Sequence, residues 1–425
     1  MSAPAPPGDA TVDYFDHNST DYARHRFDWY ETIRRDAGPV FWSPHHGGYW
    51  VIIGWQELRD AARDWQTFSS KSCEHNIDGL QYNGLFIPPR PGNGRLLQED
   101  PPEWRQARVA LAPLFTVSEV AMWRDRVQRL VDACVDRRIE TGSIDLASDI
   151  ANVVPAVFSL EFVGVSSEHY ELVARNHHLS SHLAADDPRW DGLREGLETE
   201  RRLIREAIAH QKEEPGGGVI QALLDSAKTG TTFSDDEIAT LVLLTIGGGI
   251  DTTAALLASS LMLIADNPTL RQALLDDPSK VPDAAEEFLR HAAPTQGLCR
   301  TVTRDVKIGG QRLRRGDRVM LCFAAACRDP EAFDRPDQIV LDRASNQHLA
   351  FGWGIHRCIG AQFAKLEFDV TLTTFLRRLP DYQMVWDQVV PFENVGVVAG
   401  WTQALATFTP GAKVGADPQI LGWKP

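Results

Sequence analysis

The chain has 425 residues, 43% of them hydrophobic and 24% charged, with a formal net charge of −15 at pH 7. That composition belongs to a globular protein with a substantial core, and the charge excludes nucleic acid as a partner, because phosphate binding needs clustered Lys and Arg. No run of about 18 uncharged apolar residues occurs, and the opening MSAPAPPGDATV lacks a basic segment followed by an apolar one, so a cytoplasmic protein without a membrane anchor is expected. Residues 1–12 are expected to be disordered. Six cysteines without a CxxC pair read as reduced thiols, mostly core filler.

In chain order, the first regular element is GGYWVIIGW (Gly47 to Trp55), which reads as a short strand with turns. Residues 87–94, IPPRPGNG, combine three prolines and two glycines with Ile, Arg and Asn, which forbids regular helix or central strand and predicts a loop. Of His177, His178 and His182, the i and i+4 pair His178 and His182 shares a helical face, but HLSSH lacks the intervening glutamate of helix metallohydrolases and has no obvious third ligand, so a place on lid helices over the pocket is the better reading. The breaker EEPGGG (Glu213 to Gly218) has the length of an ordinary connection. With no repeat and no extended linker, one domain over residues 1–425 is expected. Most segments carry helical periodicity, and RDVKIGGQRLRRGDRVMLCFAAA adds short strands, so the fold class is mainly α with a minor β-rich part.

The longest helix is predicted from a capping box, Ser234 to Glu237, as far as Asn267, with Pro268 ending it. It would span roughly 50 Å, and its apolar flanks predict burial on nearly all sides. Its centre reads Gly247-Gly248-Gly249-Ile250-Asp251-Thr252-Thr253. Three glycines inside a helix cost roughly 1 kcal/mol each relative to Ala, so something must offset them. Close crossing of another helix is one reading. A widened turn beside a flat ligand is the other, and the buried acid with its neighbouring hydroxyls favours it, since Thr252 is spaced to bond the Gly248 carbonyl.

Near the C-terminus, Phe351 to Gly360 reads FGWGIHRCIG and precedes an amphipathic helix that stops before Pro380. Cys358 would therefore lie near a helix N-terminus beside Arg357, where amide donors and positive charge favour thiolate. Phe351, Gly354, His356, Cys358 and Gly360 fall at the spacing FxxGxHxCxG, and the string resembles the haem-binding signature of the cytochrome P450 family.

The resemblance covers the chain from about Asp100 onward, with a soluble bacterial flavour like camphor hydroxylase. It implies a single triangular P450-like domain, with haem b between the long central helix and the Cys-loop helix and Cys358 as the iron's ligand. Glu287 and Arg290 match the family's ExxR pair, joined by Arg343, in a structural role. Arg108, Arg300 and His356 are implied as partners of the haem propionates, Trp104 stands where the family has a His, and Gly248 lies against the ring. Asp251 and Thr252 match the acid–alcohol pair that steers protons to oxygen. Phe86, Ile87, Leu244, Gly247, Val397 and Val398 are implied pocket residues, apolar and partly small, which suggests a terpenoid or polycyclic substrate. Gly92 aligns where the camphor-type pocket has a tyrosine, which argues against camphor. The implied activity is insertion of one oxygen atom from O2, with electrons passing from NAD(P)H through a ferredoxin reductase and a ferredoxin. A peroxide-driven peroxygenase, a haem-dependent isomerase and a non-catalytic haem protein that binds a ligand are the alternatives.

Overall fold

A continuous apolar run, Tyr-Trp-Val-Ile, makes a strand buried along its length, Tyr49–Ile52, and a turn through Gly47 and Gly48 joins it to Val40–Ser43. The computed structural model describes residues 10–89, 94–183 and 187–422. The described residues fall into two compact units, each assembled from separated stretches of chain.

The first unit takes residues up to Ala107, then Leu289–Cys358 and Glu393–Ala399. Its core is a five-stranded sheet in the order Val40–Ser43, Tyr49–Ile52, Arg318–Leu321, Leu298–Val302, Phe68–Ser69. One pairing is parallel, Tyr49–Ile52 on Arg318–Leu321, and the others are antiparallel. Val306–Ile308 and Gln311–Leu313 form a separate hairpin. The expected strands thus appear, although Trp55 begins a helix, Trp55–Arg63, rather than ending a strand. Ala10 is buried, Thr11 bridges Trp42, and the Val12 amide donates to the Trp42 carbonyl at 2.9 Å. Residues 10–12 are therefore ordered, against expectation, because the sheet edge offers them backbone partners; residues 1–9 lie outside the described residues, as does Gly92.

The second unit takes Arg108–Phe288, Ile359–Phe392 and the chain from Gly400. It is helical, with helices at Val153–Val163, Tyr170–His182, Trp190–Glu213 and Ala361–Arg378 around the 32-residue helix Asp235–Asp266. The capping box is made: the Ser234 amide donates to Glu237 Oε2 at 2.8 Å, and the Glu237 amide donates to Ser234 Oγ at 3.3 Å. Phe158, Phe162 and Phe363 meet at centroid separations of 4.6–5.8 Å and join Val153–Val163 to Ala361–Arg378 in one core. The Glu213–Gly218 breaker joins two helices of this same unit. A three-stranded sheet, ordered Ser143–Asp145, Trp401–Thr407, Gln383–Pro391, was not anticipated from the sequence.

Two segments are long and apolar enough to cross a membrane, Leu146–Val163 and Asp235–Asp266, and 83% and 61% of their apolar windows are buried inside the protein. They are core elements by that measure.

Candidate functional site

In the first unit the cysteine loop is built from close backbone approaches. Gly354 has φ +70, and a Cβ there would lie 2.3 Å from the Ala62 carbonyl oxygen, so only glycine fits. The Cys358 amide donates to the Phe351 carbonyl at 2.9 Å, which closes the loop on itself. Gly360 caps the helix Ala361–Arg378, placing Cys358 just ahead of that helix rather than in its first turn. Of the six cysteines, Cys134, Cys299, Cys322 and Cys327 are buried, Cys73 is half-buried and Cys358 is exposed. Burial pushes Cys134 and Cys327 up to about 12 and Cys299 to about 11, so those thiols are poor anions. Cys358 carries the accessible sulfur.

The expected anion partners are partly assembled. The Trp104 and His356 rings lie edge to face, 6.2 Å apart. Arg300, on the strand Leu298–Val302, is 4% exposed and donates to the Cys299 carbonyl at 2.8 Å. Burial lowers its pKa to about 10, although the charges of Cys299 and Asp100 oppose the shift. Asp100 is itself engaged by Ser69 Oγ and by the Ser70 amide. A buried guanidinium whose nearby carboxylate is already occupied is suited to an incoming carboxylate. Arg108, where the second unit begins, follows Trp104 by one helical turn on Glu103–Leu111 and is half-buried.

The expected pocket and scaffold residues of the first unit sit as follows. Phe86 is half-buried and its carbonyl accepts from Arg318, while the buried Ile87 accepts from Asn18 Nδ2 at 2.7 Å. Val397 and Val398 lie in an extended segment that bonds residues 294–296. Arg290 is fully buried and donates to the carbonyls of Cys327, Pro336 and Gln338. Arg343 reaches the carbonyls of Asp334, Arg335 and Gln338, and both guanidiniums face the Phe333 ring at 5.3 and 5.9 Å. Glu287, which belongs to the second unit, is 1% exposed and lies one turn before Arg290 on the helix Val281–Ala292.

In the second unit the three glycines of the central helix answer to different neighbours. A Cβ on Gly247 would meet the His177 ring at 3.0 Å, and one on Gly249 would meet Ser159 Oγ at 2.7 Å, so these two allow close helix crossing. Gly248 has nothing within 4 Å of its Cβ position. Leu244, Gly248 and Thr252, spaced four apart, lie along an accessible stripe of a helix otherwise largely buried, in keeping with the expected burial on nearly all sides. Thr252 Oγ1 donates to the Gly248 carbonyl at 2.8 Å. The helix stays α-helical throughout, so the expected widened turn is absent; the carbonyl's second lone pair takes the hydroxyl without breaking the ladder.

Asp251 points the other way, and its surroundings were not legible in the sequence. It is 4% exposed, and Ser181 Oγ hydrogen-bonds its Oδ2. His178 Nδ1 stands 3.9 Å from Asp251 Oδ1. Burial raises the Asp251 pKa, partly offset by Ser181 and by the His177 charge. Burial and neighbouring His182 lower His178 to about 4, so the 3.9 Å approach is a contact between a neutral ring and a carboxyl rather than an ion pair. His177 donates to or accepts from Glu200 at 2.8 Å; burial opposes its charge, but that bond and the charges of Glu200 and Asp251 raise its pKa. The three histidines thus have separate jobs, and among the described residues no cluster of three metal-ligating side chains occurs.

These residues fit a haem, each unit on its own terms. The first offers an accessible soft sulfur ligand for iron and a set of cationic and N–H donors for carboxylates. The second offers a Cβ-free helix face against which a flat ring can lie.

Comparison with known proteins agrees. A sequence model described as cytochrome P450 matches residues 201–381. The steroid C26-monooxygenase of Mycolicibacterium smegmatis is 30% identical over 397 residues, 92% of this chain and 94% of that protein. The nocardicin C N-oxygenase of Nocardia uniformis is 30% identical over 356 residues, 83% and 86% of the two chains. Among solved structures, Mycobacterium marinum cytochrome P450 CYP268A2 in complex with pseudoionone shares the fold at a TM-score of 0.83 and 24% identity, over 93% of this chain and 99% of that one.

Proposed function

This chain belongs to the cytochrome P450 family and is a haem b monooxygenase, and on that premise we propose that it oxidises a small apolar substrate of terpenoid or polycyclic type, with Cys358 as the thiolate ligand. The observation that carries the ligand assignment is the contrast between one exposed thiol in a glycine-shaped loop and four thiols held in the core. When bound, haem with a thiolate ligand supplies the activation of O2, and the protein's share is binding, orientation and proton supply.

Arg300, Arg108, His356 and Trp104 would bind the propionates, Arg300 most strongly, since its buried charge gains most from an anion. Phe351, Gly354 and Gly360 shape the loop that presents the sulfur, and Gly248 leaves room for the ring. Arg290 and Arg343 hold the backbone between Cys327 and Gln338 in place, and Glu287, one turn before Arg290, keeps the structural role that the family match implies. Thr252 Oγ1 spends its proton on the Gly248 carbonyl, which leaves its oxygen free to accept a proton-bearing group. Asp251, whose burial keeps it protonated to higher pH than an ordinary carboxyl, is the acid of the pair.

Phe86, Ile87, Leu244, Val397 and Val398 supply apolar pocket surface, and the steroid-oxidising relative at 30% identity supports a polycyclic substrate, while Gly247, where a Cβ would meet His177, serves a helix crossing instead. Electrons come from a ferredoxin and its NAD(P)H-dependent reductase. The enzyme works in the cytoplasm, a reading supported by six free thiols and by the burial of most of each of its two most apolar segments inside the protein.

Reduction under carbon monoxide tests the ligand. The native enzyme is expected to show the long-wavelength Soret band of a thiolate-ligated haem, and Cys358→Ser to lose it while circular dichroism stays unchanged. A folded Cys358→Ser variant with the native band refutes the assignment. A panel of terpenoids and steroids scored by Soret shift then tests the substrate class, and a response confined to polar or charged compounds would overturn it.

A further inference from the structure

Asp251 meets the helix Tyr170–His182 through three side chains. Ser181 Oγ touches Asp251 Oδ2, His178 Nδ1 stands 3.9 Å from Oδ1, and His177, on the adjoining turn, is tied to Glu200 of Trp190–Glu213. His182 packs edge to face on His178 at 5.4 Å, and both rings lie against Phe392. The titratable groups around the carboxyl are therefore His177, His178 and His182, with Glu200 behind His177.

Ser181 has one proton and two acceptors. Its Oγ lies 3.0 Å from the His177 carbonyl oxygen and also bonds Asp251 Oδ2. A hydroxyl can donate only once, but it can accept as well. Both contacts are satisfied together when Asp251 carries a proton and donates it to Ser181 Oγ, while Ser181 donates to the carbonyl. Burial of the carboxyl favours that acid form, whereas a bond donated by Ser181 to Oδ2 would favour the carboxylate and would leave the His177 carbonyl without the hydroxyl proton.

Asp251 also lines a small cavity of about 10 Å³, together with Asn152, His178, Phe392 and Trp401 among others. That is about the room one water needs. Asp251 Oδ1 and His178 Nδ1 have no hydrogen-bond partner among the described residues, and both residues line that space, so both atoms are available to such a water. The His178 side chain is 18% accessible where Asp251 is 4%, so the imidazole spans from the exterior to the buried acid.

Resting on the reading of Asp251 as the acid of the pair, we propose that Ser181 and His178 are its positioning residues: Ser181 holds the carboxyl by accepting its proton, and His178, across one water, returns a proton to Oδ1 after the acid is spent. The transfer moves protons only. One proton is taken up at His178 Nε2 from solvent, one leaves Nδ1 to the water, and the water passes one to Oδ1. The ring ends neutral in its Nε2–H tautomer, and exchange of its ring protons with solvent, one lost at Nε2 and one gained at Nδ1, restores the first, so the charged ring is only transient.

Infrared spectroscopy of the haem-loaded enzyme tests both roles without turnover. The native protein should show the C=O stretch of a buried protonated carboxyl near neutral pH, and Asp251→Asn should remove it. Ser181→Ala should shift the band and Ser181→Thr, which keeps the hydroxyl, should retain it. On transfer to D2O the native band should move promptly as its proton exchanges, and in His178→Phe, which keeps the ring packing on Phe392, exchange should slow by about tenfold or more. A native spectrum with no band assignable to Asp251 overturns the proposal, as does Ser181→Ala with an unshifted band or His178→Phe with native exchange. Should those results coincide with an Asp251→Asn enzyme that consumes NADPH but releases peroxide, the acid role of Asp251 stands and only the proposal falls. Coupled turnover by Asp251→Asn would instead sink the acid role itself.

Discussion

A methyl group on Gly354 would collide with the Ala62 carbonyl, and its φ of +70 is one that alanine resists even in open space. Gly354→Ala should therefore cost at least about 2 kcal/mol, read as a lower denaturant midpoint with unchanged slope. The buried His177–Glu200 pair makes a different kind of prediction, one that depends on pH. His177 has its pKa raised in the folded state from the ordinary 6.5, so the pair's contribution is fully present below that value and is lost as pH rises through the folded pKa. A tenfold tighter hold on the proton is worth about 1.4 kcal/mol. Glu200→Gln should then lower the melting temperature more at about pH 5.5 than at about pH 9, and an equal loss at both would show the pair to be uncharged. At this scale the sequence was legible where chemistry is local. The signature around Cys358 and the Thr252–Gly248 spacing are read along the chain, and the second is met by a 2.8 Å bond. Ser181 lies 70 residues from Asp251 in sequence, and only packing of two helices brings them together.

Helix ends announce themselves in a way that thin strands do not. The box Ser234–Glu237 and the break at Pro268 bracket the helix Asp235–Asp266, because unsatisfied amides at the first turn select these side chains. Ser234→Ala should cost about 1 kcal/mol, seen as a lower thermal midpoint, whereas Ser234→Asp should be close to neutral. The same helix misled in its middle, where glycines were read as one feature. Two of them serve crossings by Tyr170–His182 and Val153–Val163 and only Gly248 faces open space, a division set by tertiary packing that periodicity does not carry. The sheet of Ser143–Asp145, Trp401–Thr407 and Gln383–Pro391 left still less trace. One member has three residues, and Gln383–Pro391 is largely exposed, so neither shows the alternation that marks a half-buried strand.

At the scale of the molecule, the path of the chain constrains how it can come apart. The backbone passes from one compact unit to the other after Ala107, Phe288, Cys358, Phe392 and Ala399, so no contiguous fragment contains a whole unit without part of the other. Residues 108–288 hold most of the second unit's helices, yet they lack Ala361–Arg378, whose Phe363 packs on both Phe158 and Phe162. They also lack both long strands of its sheet. Removing one buried aromatic of this kind costs about 3–5 kcal/mol, a large share of the total stability of an ordinary domain. The fragment 108–288 should consequently be helical at most in part, without a cooperative melt, whereas the full chain should unfold in transitions that coincide by far-ultraviolet circular dichroism and by tryptophan fluorescence. A sharp, reversible melt from residues 108–288 alone would mean that the second unit's core does not need the segments that return to it after the cysteine loop.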